Sequence, residues 1–135
     1  MNFKTLTGGL KRIPRSKNYL IDWRKKSRSK LQPTTKRFIK YYWKDHVVFE
    51  EFPVAGTKMT FDFYNANKKI AIEVQGAQHT KYVPFLHGRR SNFASQIRRD
   101  EKKAEFCRLN NIKLIEIYSD DSLSKELFKK QGVYL

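Results

Sequence analysis

Residues 59–79 read MTFDFYNANKKIAIEVQGAQH, and their alternation decides the fold. Side chains on a strand alternate between faces, so residues of one parity share a side. Met59, Phe61 and Phe63 are the apolar positions of the first half; Ile70, Ile72 and Val74 are those of the second. With Asn65 to Lys69 as the turn, the segment is expected to fold as a hairpin carrying those six residues on one apolar face. The other parity carries Asp62, Tyr64, Ala71, Glu73 and Gln75. Two carboxylates and an amide then project from one side of adjacent strands, each flanked by core residues. Carboxylates gathered in a partly dry place repel one another unless a cation sits between them. Hard divalent cations such as magnesium take oxygen ligands of this kind. An acid pair on a half-buried hairpin is by itself ordinary strand alternation. Here acids are scarce, and these two lie in the most apolar segment of the chain.

The 135 residues make one domain by length, with 29 Lys and Arg against 13 Asp and Glu, a net charge of +16. A polyanion is the natural partner of such a chain, and nucleic acid is the first candidate. Aromatic residues at 14% argue against disorder. No apolar run approaches the roughly 20 residues of a spanning helix and no signal peptide is read at the start, so no membrane partner is expected. Cys107 is the sole cysteine, which excludes an intrachain disulfide or a cysteine-rich zinc site and suits a reducing, cytoplasmic setting. On a helix it reads as a small core residue.

Charge is unevenly spread: residues 1–46 hold 14 of the cations and two acids, Asp22 and Asp45. Residues 1–33 read as a basic N-terminal arm, partly ordered, whose Tyr19 and Trp23 could pack on the domain or stack on bases; Lys25, Lys26 and Arg28 are its candidate DNA contacts. Residues 34–135 form the domain proper. After Pro33, TTKRFIKYYW is expected to be a helix capped by Thr34 or Thr35, with Phe38, Ile39 and Tyr42 on its apolar stripe. VVFEEFPV gives a first strand, the hairpin the second and third, and IKLIEIY (112–118) a fourth, evenly apolar and expected at the centre of the sheet. Residues 80–91 are a loop. Residues 92–110 give the longest helix, and DSLSKELFKK a terminal helix with an Asp/Ser cap. The order predicts a mixed α/β sandwich, a β-sheet flanked by helices.

The long helix turns an acid inward. Its stripe runs Phe93, Ile97, Asp100, Ala104 and Cys107, while Gln96, Asp100 and Lys103 share one edge. An ion pair from Asp100 to Arg99 or Lys103 is the plain structural account of that acid.

In order along the chain, FDFY, IEVQGAQH, QIRRDEKK and IKLIEI resemble the PD-(D/E)XK nuclease superfamily, in the branch of very-short-patch-repair and small phage or homing endonucleases. The resemblance covers residues 47–118 and implies a restriction-endonuclease-like α/β fold and a magnesium-dependent phosphodiesterase, with manganese as the alternative ion. By resemblance, Asp62 is the central metal ligand and Glu73 the second acid. Gln75 stands where the pattern has lysine, which leaves open which group orients the attacking water. His79 falls at the active-site edge as an acid/base or phosphate contact, although a lone histidine is as often a structural hydrogen-bonder; Gln78 is a weaker neighbour. Gln96, Asp100 and Lys103 match the helix motif, and Lys103 could replace the charge missing at Gln75. Glu50 and Glu51 are both candidates for a further acid. Arg89, Arg90, Arg98 and Arg99 would clamp flanking phosphates. His87 reads as a loop residue without a role.

The expected function is a metal-dependent DNA endonuclease, phage or mobile-element encoded by resemblance. A Holliday-junction resolvase, acting as a homodimer with two sites on two strands, is the alternative enzyme. A DNA-binding or packaging protein with a disabled site is the alternative of another class, and Gln75 is its best support.

Overall fold

Alternation gives the hairpin its register. The computed structural model describes residues 1–27, 32–75 and 90–135, with the backbone alone at 90–93. The elements in chain order are β1 (Asn2–Lys4), β2 (Leu10–Arg12), a 3₁₀ turn (Ser16–Tyr19), α1 (Gln32–Trp43), β3 (Val48–Pro53), β4 (Thr60–Asn65), β5 (Ile70–Val74), α2 (Arg90–Leu109), β6 (Lys113–Ile117) and α3 (Lys125–Lys130). Phe63 pairs with Ile72 and Tyr64 with Ala71, so β4 and β5 are the expected antiparallel hairpin. β3 pairs antiparallel with β4, and β6 lies parallel to β5 beyond the α2 crossover. The result is a mixed four-stranded sheet in the order β3–β4–β5–β6. The expected mixed α/β architecture is what forms.

Both faces of this sheet are covered. On one side, α1 and α3 press Ile39, Trp43 and Phe128 onto Phe63, Ile72 and Ile115, all of them fully buried. Truncating Trp43 or Phe128 to alanine would cost roughly 3–5 kcal/mol. On the other side, Phe106 and Cys107 of α2 pack with Phe49, Phe52, Phe61, Tyr64 and Ala71.

The N-terminal segment completes that second side. The described residues of the 1–33 stretch do not stand apart as an arm. Phe3 and Ile13 are buried in the α2-side cluster, and the Tyr19 ring meets Phe52 edge-on at 6.0 Å. The Ile21 N–H donates to the Val48 carbonyl at 2.9 Å, extending the sheet past β3. The few apolar residues of this basic stretch cover aromatic surface that α2 leaves open, and its cations remain outside. Nor does a boundary fall at 33/34. α1 begins at Gln32 and takes Pro33 into its first turn, where a missing N–H costs little, so Thr34 and Thr35 lie inside the helix instead of capping it.

Two further expectations change. The six apolar residues of the hairpin do not share one face: Phe63, Ile70, Ile72 and Val74 join the α1 side, Met59 and Phe61 the α2 side. β3 breaks its own alternation at Glu51, whose φ of 52° is left-handed, and Phe52, the pair partner of Phe61, lies in the same cluster as Phe49. β6 is at the end of the strand order among the described residues, not at its centre. Its outer edge is satisfied by the Gln131 amide, which donates to the Glu116 carbonyl and accepts from the Glu116 N–H, both at 2.9 Å. An apolar strand can therefore sit at an edge without offering a template for another chain. α3 starts later than the Asp/Ser cap at the head of DSLSKELFKK suggested: Ser124 caps it, its Oγ accepting from the Leu127 N–H, while Asp121 accepts from the Tyr118 N–H.

Candidate functional site

Strand register assembles the site. Because Phe63 faces Ile72, Asp62 of β4 lies opposite Glu73 of β5. The pairs Glu50–Phe63 and Phe52–Phe61 bring Glu51 of β3 opposite Asp62, and Glu73 pairs with Glu116 of β6. One row of acids thus crosses all four strands.

Their partners differ. Glu51 accepts from Gln32 Nε2 at 3.1 Å and from Thr60 Oγ1 at 3.2 Å. Glu116 accepts from the Tyr118 hydroxyl at 2.7 Å. Asp62 and Glu73, in the middle, hydrogen-bond each other, and Asp62 Oδ2 also accepts from the Val74 N–H at 2.7 Å. Across from them α2 brings the Lys103 ammonium against Glu73 Oε1. Glu73 is only 5% exposed. Burial, and next the Asp62 charge, push its carboxyl up to about 8 against the opposing pull of Lys103. Burial raises Asp62 as well, opposed by the Val74 N–H. At neutral pH Glu73 therefore keeps its proton, which holds two acids together where two charges could not both be.

The expected residues fall into three groups. Asp62, Glu73 and Lys103 are brought together. Gln75, two residues past Glu73, is buried, and its N–H continues the β5–β6 ladder to the Ile117 carbonyl at 2.6 Å. Gln96 and Asp100 are half-buried on the same helix. Asp100 places its charge on Tyr118, whose hydroxyl is raised first by burial and then by Glu116, Asp100 and Asp121. Glu50 and Glu51 separate: Glu50 pairs with Lys36 of α1 at 2.8 Å, while the charge of Glu51 acts on Asp62. Glu51 is the further acid of this row. Arg98 and Arg99 are exposed on α2, with Arg98 Nη2 donating to Ser95 Oγ at 3.1 Å. Lys25 and Lys26 are exposed beside a hollow that Glu50 and Glu51 help to line. Arg28, Gln78, His79, His87 and Arg89 lie outside the described residues, and Arg90 enters by its backbone alone, as the first residue of α2.

The inward stripe of α2 also shifts. Ala104 is exposed, and at that turn the sheet receives Lys103, followed by Phe106 and Cys107. Cys107 is the core thiol expected, pushed up to about 12 by burial and then by the Glu73 charge. Glu116 and Tyr118 were not anticipated in the row. The parity that sets Glu116 beside Leu114 was readable in IKLIEIY, but its register against Glu73 was not.

A divalent ion fits the central pair in kind. Magnesium takes one or two carboxylates and completes its shell with water and phosphate, and a cation relieves the repulsion that now keeps a proton on Glu73. Among the described residues no group of three or more His, Cys, Asp or Glu converges as a metal cage.

Three viral proteins are similar to this chain. It is 36% identical to the uncharacterized protein 307L of Invertebrate iridescent virus 6 over 73 residues, 53% of this chain and 37% of that one. It is 41% identical to the uncharacterized protein 094L of Frog virus 3 over 66 residues, 48% of this chain and 43% of that one. The uncharacterized protein 033L of Invertebrate iridescent virus 3 is 31% identical over 65 residues, 48% of this chain and 34% of that one. The matched part is thus well under half the length of each relative. No protein-family model matches the chain, and no solved structure does. No helix among the described residues is long and apolar enough to cross a membrane.

Proposed function

We propose that the protein is a divalent-metal-dependent DNA endonuclease on a restriction-endonuclease-like fold. The observation that carries this reading is the buried, hydrogen-bonded Asp62–Glu73 pair with Lys103 set against it by the neighbouring helix. A purely structural ion pair needs one acid; a second acid in the same dry place costs stability and calls for a functional reason. The meander, crossover helix and parallel strand suit the fold, and the net charge of +16 suits a polyanionic substrate. The viral relatives support a viral source.

Asp62 and Glu73 would hold magnesium, or manganese in its place. When bound, such an ion polarises the scissile phosphate and lowers the pKa of a coordinated water. The chain's own residues do the rest. Glu73 would be a ligand once its proton has passed to solvent. Asp62 is already oriented by the Val74 N–H. Lys103, released from Glu73, turns its ammonium to the phosphate and supplies the charge that Gln75 does not. Gln75 orients water through its amide. The exposed Arg98 and Arg99 meet flanking phosphates.

The test is a cleavage panel of linear duplex, mismatch, flap, four-way junction, single strand and RNA, with magnesium or manganese. DNA cleavage that needs the ion and is lost in Asp62→Ala is the expected result. Binding without cleavage of any member, under either ion, would favour instead the DNA-binding protein with a disabled site, to which Gln75 points.

A further inference from the structure

The chain from Arg24 to Lys44 holds nine Lys and Arg and no acid. On α1 this composition becomes a stripe. Arg37 lies three and four residues before Lys40 and Tyr41, and Lys44, just past the end of α1 with its N–H on the Lys40 carbonyl, lies four and three beyond them, so they share a face, and all four are exposed. Tyr41 is 80% exposed on a helix whose buried face is already filled by Ile39 and Trp43. Its ring stands edge-on to Tyr42 at 5.0 Å, which supports it without burying it.

The surface beneath the stripe is a groove made of three hollows that share walls. The first lies beside Glu51 and includes Lys25 and Lys26. The second shares those two lysines and adds Trp23, Arg37 and Lys40. The third carries Arg37 and Lys40 on to Tyr41 and Lys44. One end of the groove thus meets the strand that presents Glu51 to Asp62. Three acids line that end: Glu50 pairs with Lys36, Glu51 accepts from Gln32 and Thr60, and the exposed Asp22 accepts from the Arg24 N–H. Lys36 also donates to the Lys25 carbonyl at 2.7 Å, which fixes the groove wall to α1.

We propose that this groove binds a single strand of DNA, with Arg37, Lys40 and Lys44 on its phosphates and Tyr41 stacked on a base, and leads it toward the Asp62–Glu73 pair. The cations alone would suit any polyanion. An exposed ring set among them is what single-strand sites add, because stacking needs an unpaired base. The destination of the strand rests on the endonuclease reading; the binding does not.

The test measures binding of the full chain to a labelled single-stranded oligonucleotide and to a duplex of the same length, in EDTA so that nothing is cut. Tyr41→Ala should weaken single-strand binding about 10-fold, leave the salt slope unchanged and barely alter duplex binding, while Tyr41→Phe keeps wild-type affinity. The triple variant Arg37→Ala/Lys40→Ala/Lys44→Ala should flatten the slope of log affinity against log salt by about 2, at ~0.7 per phosphate contact. These residues are exposed, and unchanged circular dichroism would show that the fold persists. Unaltered single-strand affinity in Tyr41→Ala, or an unaltered slope in the triple variant, would overturn the proposal. If wild type binds the strand as described yet cleaves nothing with magnesium, the endonuclease reading fails and the groove stands. If cleavage persists while these variants bind normally, the groove fails and the endonuclease stands.

Discussion

Among the described residues, two lysines reach into the sheet to meet a glutamate, one on each face. On the α1 side Lys36 bonds Glu50 at 2.8 Å, with side chains 5% and 16% exposed, and every remaining demand is met: Lys36 also donates to the Lys25 carbonyl, and Glu50 accepts from Ser27 Oγ. On the α2 side Lys103 meets Glu73 with much the same burial, 16% and 6%. There the second acid, Asp62, competes for the same cation and raises its neighbour. One lysine to one acid is architecture. One lysine to two acids leaves a carboxyl raised by its neighbour, the feature on which the proposed metal site rests.

Variants should pull these two pairs apart. The largest effect is expected at the crowded pair: Asp62→Ala should lower cleavage about 10³-fold or more, the several kcal/mol that a bound ion contributes, while DNA binding stays near wild type. Wild-type cleavage by that variant would remove the site assignment. Next comes the satisfied pair. Lys36→Met strands Glu50 in a buried position and should cost about 3–5 kcal/mol in a urea melt, with any loss of cleavage following the loss of fold. Lys103→Met should be much milder in the same melt, because Glu73 keeps its proton and needs no counter-ion. Equal costs for the two lysines would erase the distinction between them.

Lys103→Ala should lower cleavage by about 10²–10³-fold through the lost charge at the phosphate, whereas Gln75→Lys should keep or raise it. A neutral Lys103→Ala, with cleavage appearing only in Gln75→Lys, would make the native chain a binding protein. The smallest effect is in pH. The Glu73 carboxyl is raised from 4.5 to about 8, so between those values the folded state holds more protons than the unfolded one. Its contribution to stability therefore falls as pH rises from about 4.5 to 8, opposite to an ordinary ion-paired carboxylate. Glu73→Gln should be less sensitive to pH over that window and, at pH 8, at least as stable as wild type. A wild-type curve that rises with pH across the window, unchanged by Glu73→Gln, would show that the acid pair is not under strain.

Much of the site was legible because it rests on local periods. The alternation of FDFY and IAIEVQ sets Asp62 beside Glu73, and the edge shared by Gln96, Asp100 and Lys103 puts a lysine within reach. What was not legible depended on distant partners. Alternation cannot tell Glu50 from Glu51; Lys36 of α1 takes the first and the register with β4 gives the second to Asp62. Spacing alone favoured Ala104 for the inward stripe of α2. The molecule exposes it and turns Lys103 in, where its ammonium stands against Glu73 and its charge draws down both carboxyls of the pair.

The sequence by itself determined the hairpin, the parity that sets Asp62 beside Glu73, the helices and the mixed order of elements, since these follow from the pleat, the helical turn and turn chemistry within a few residues. Only the tertiary structure decided how dry each face became. Phe3 and Ile13, seventy and sixty residues before Glu73 in the chain, close the α2 side beside Phe106, so a stretch that composition reads as a basic, partly ordered arm contributes to the core. Burial is set by whatever covers a face. That cover comes from segments far away in sequence, whose charge gives no sign of the few apolar side chains they contribute.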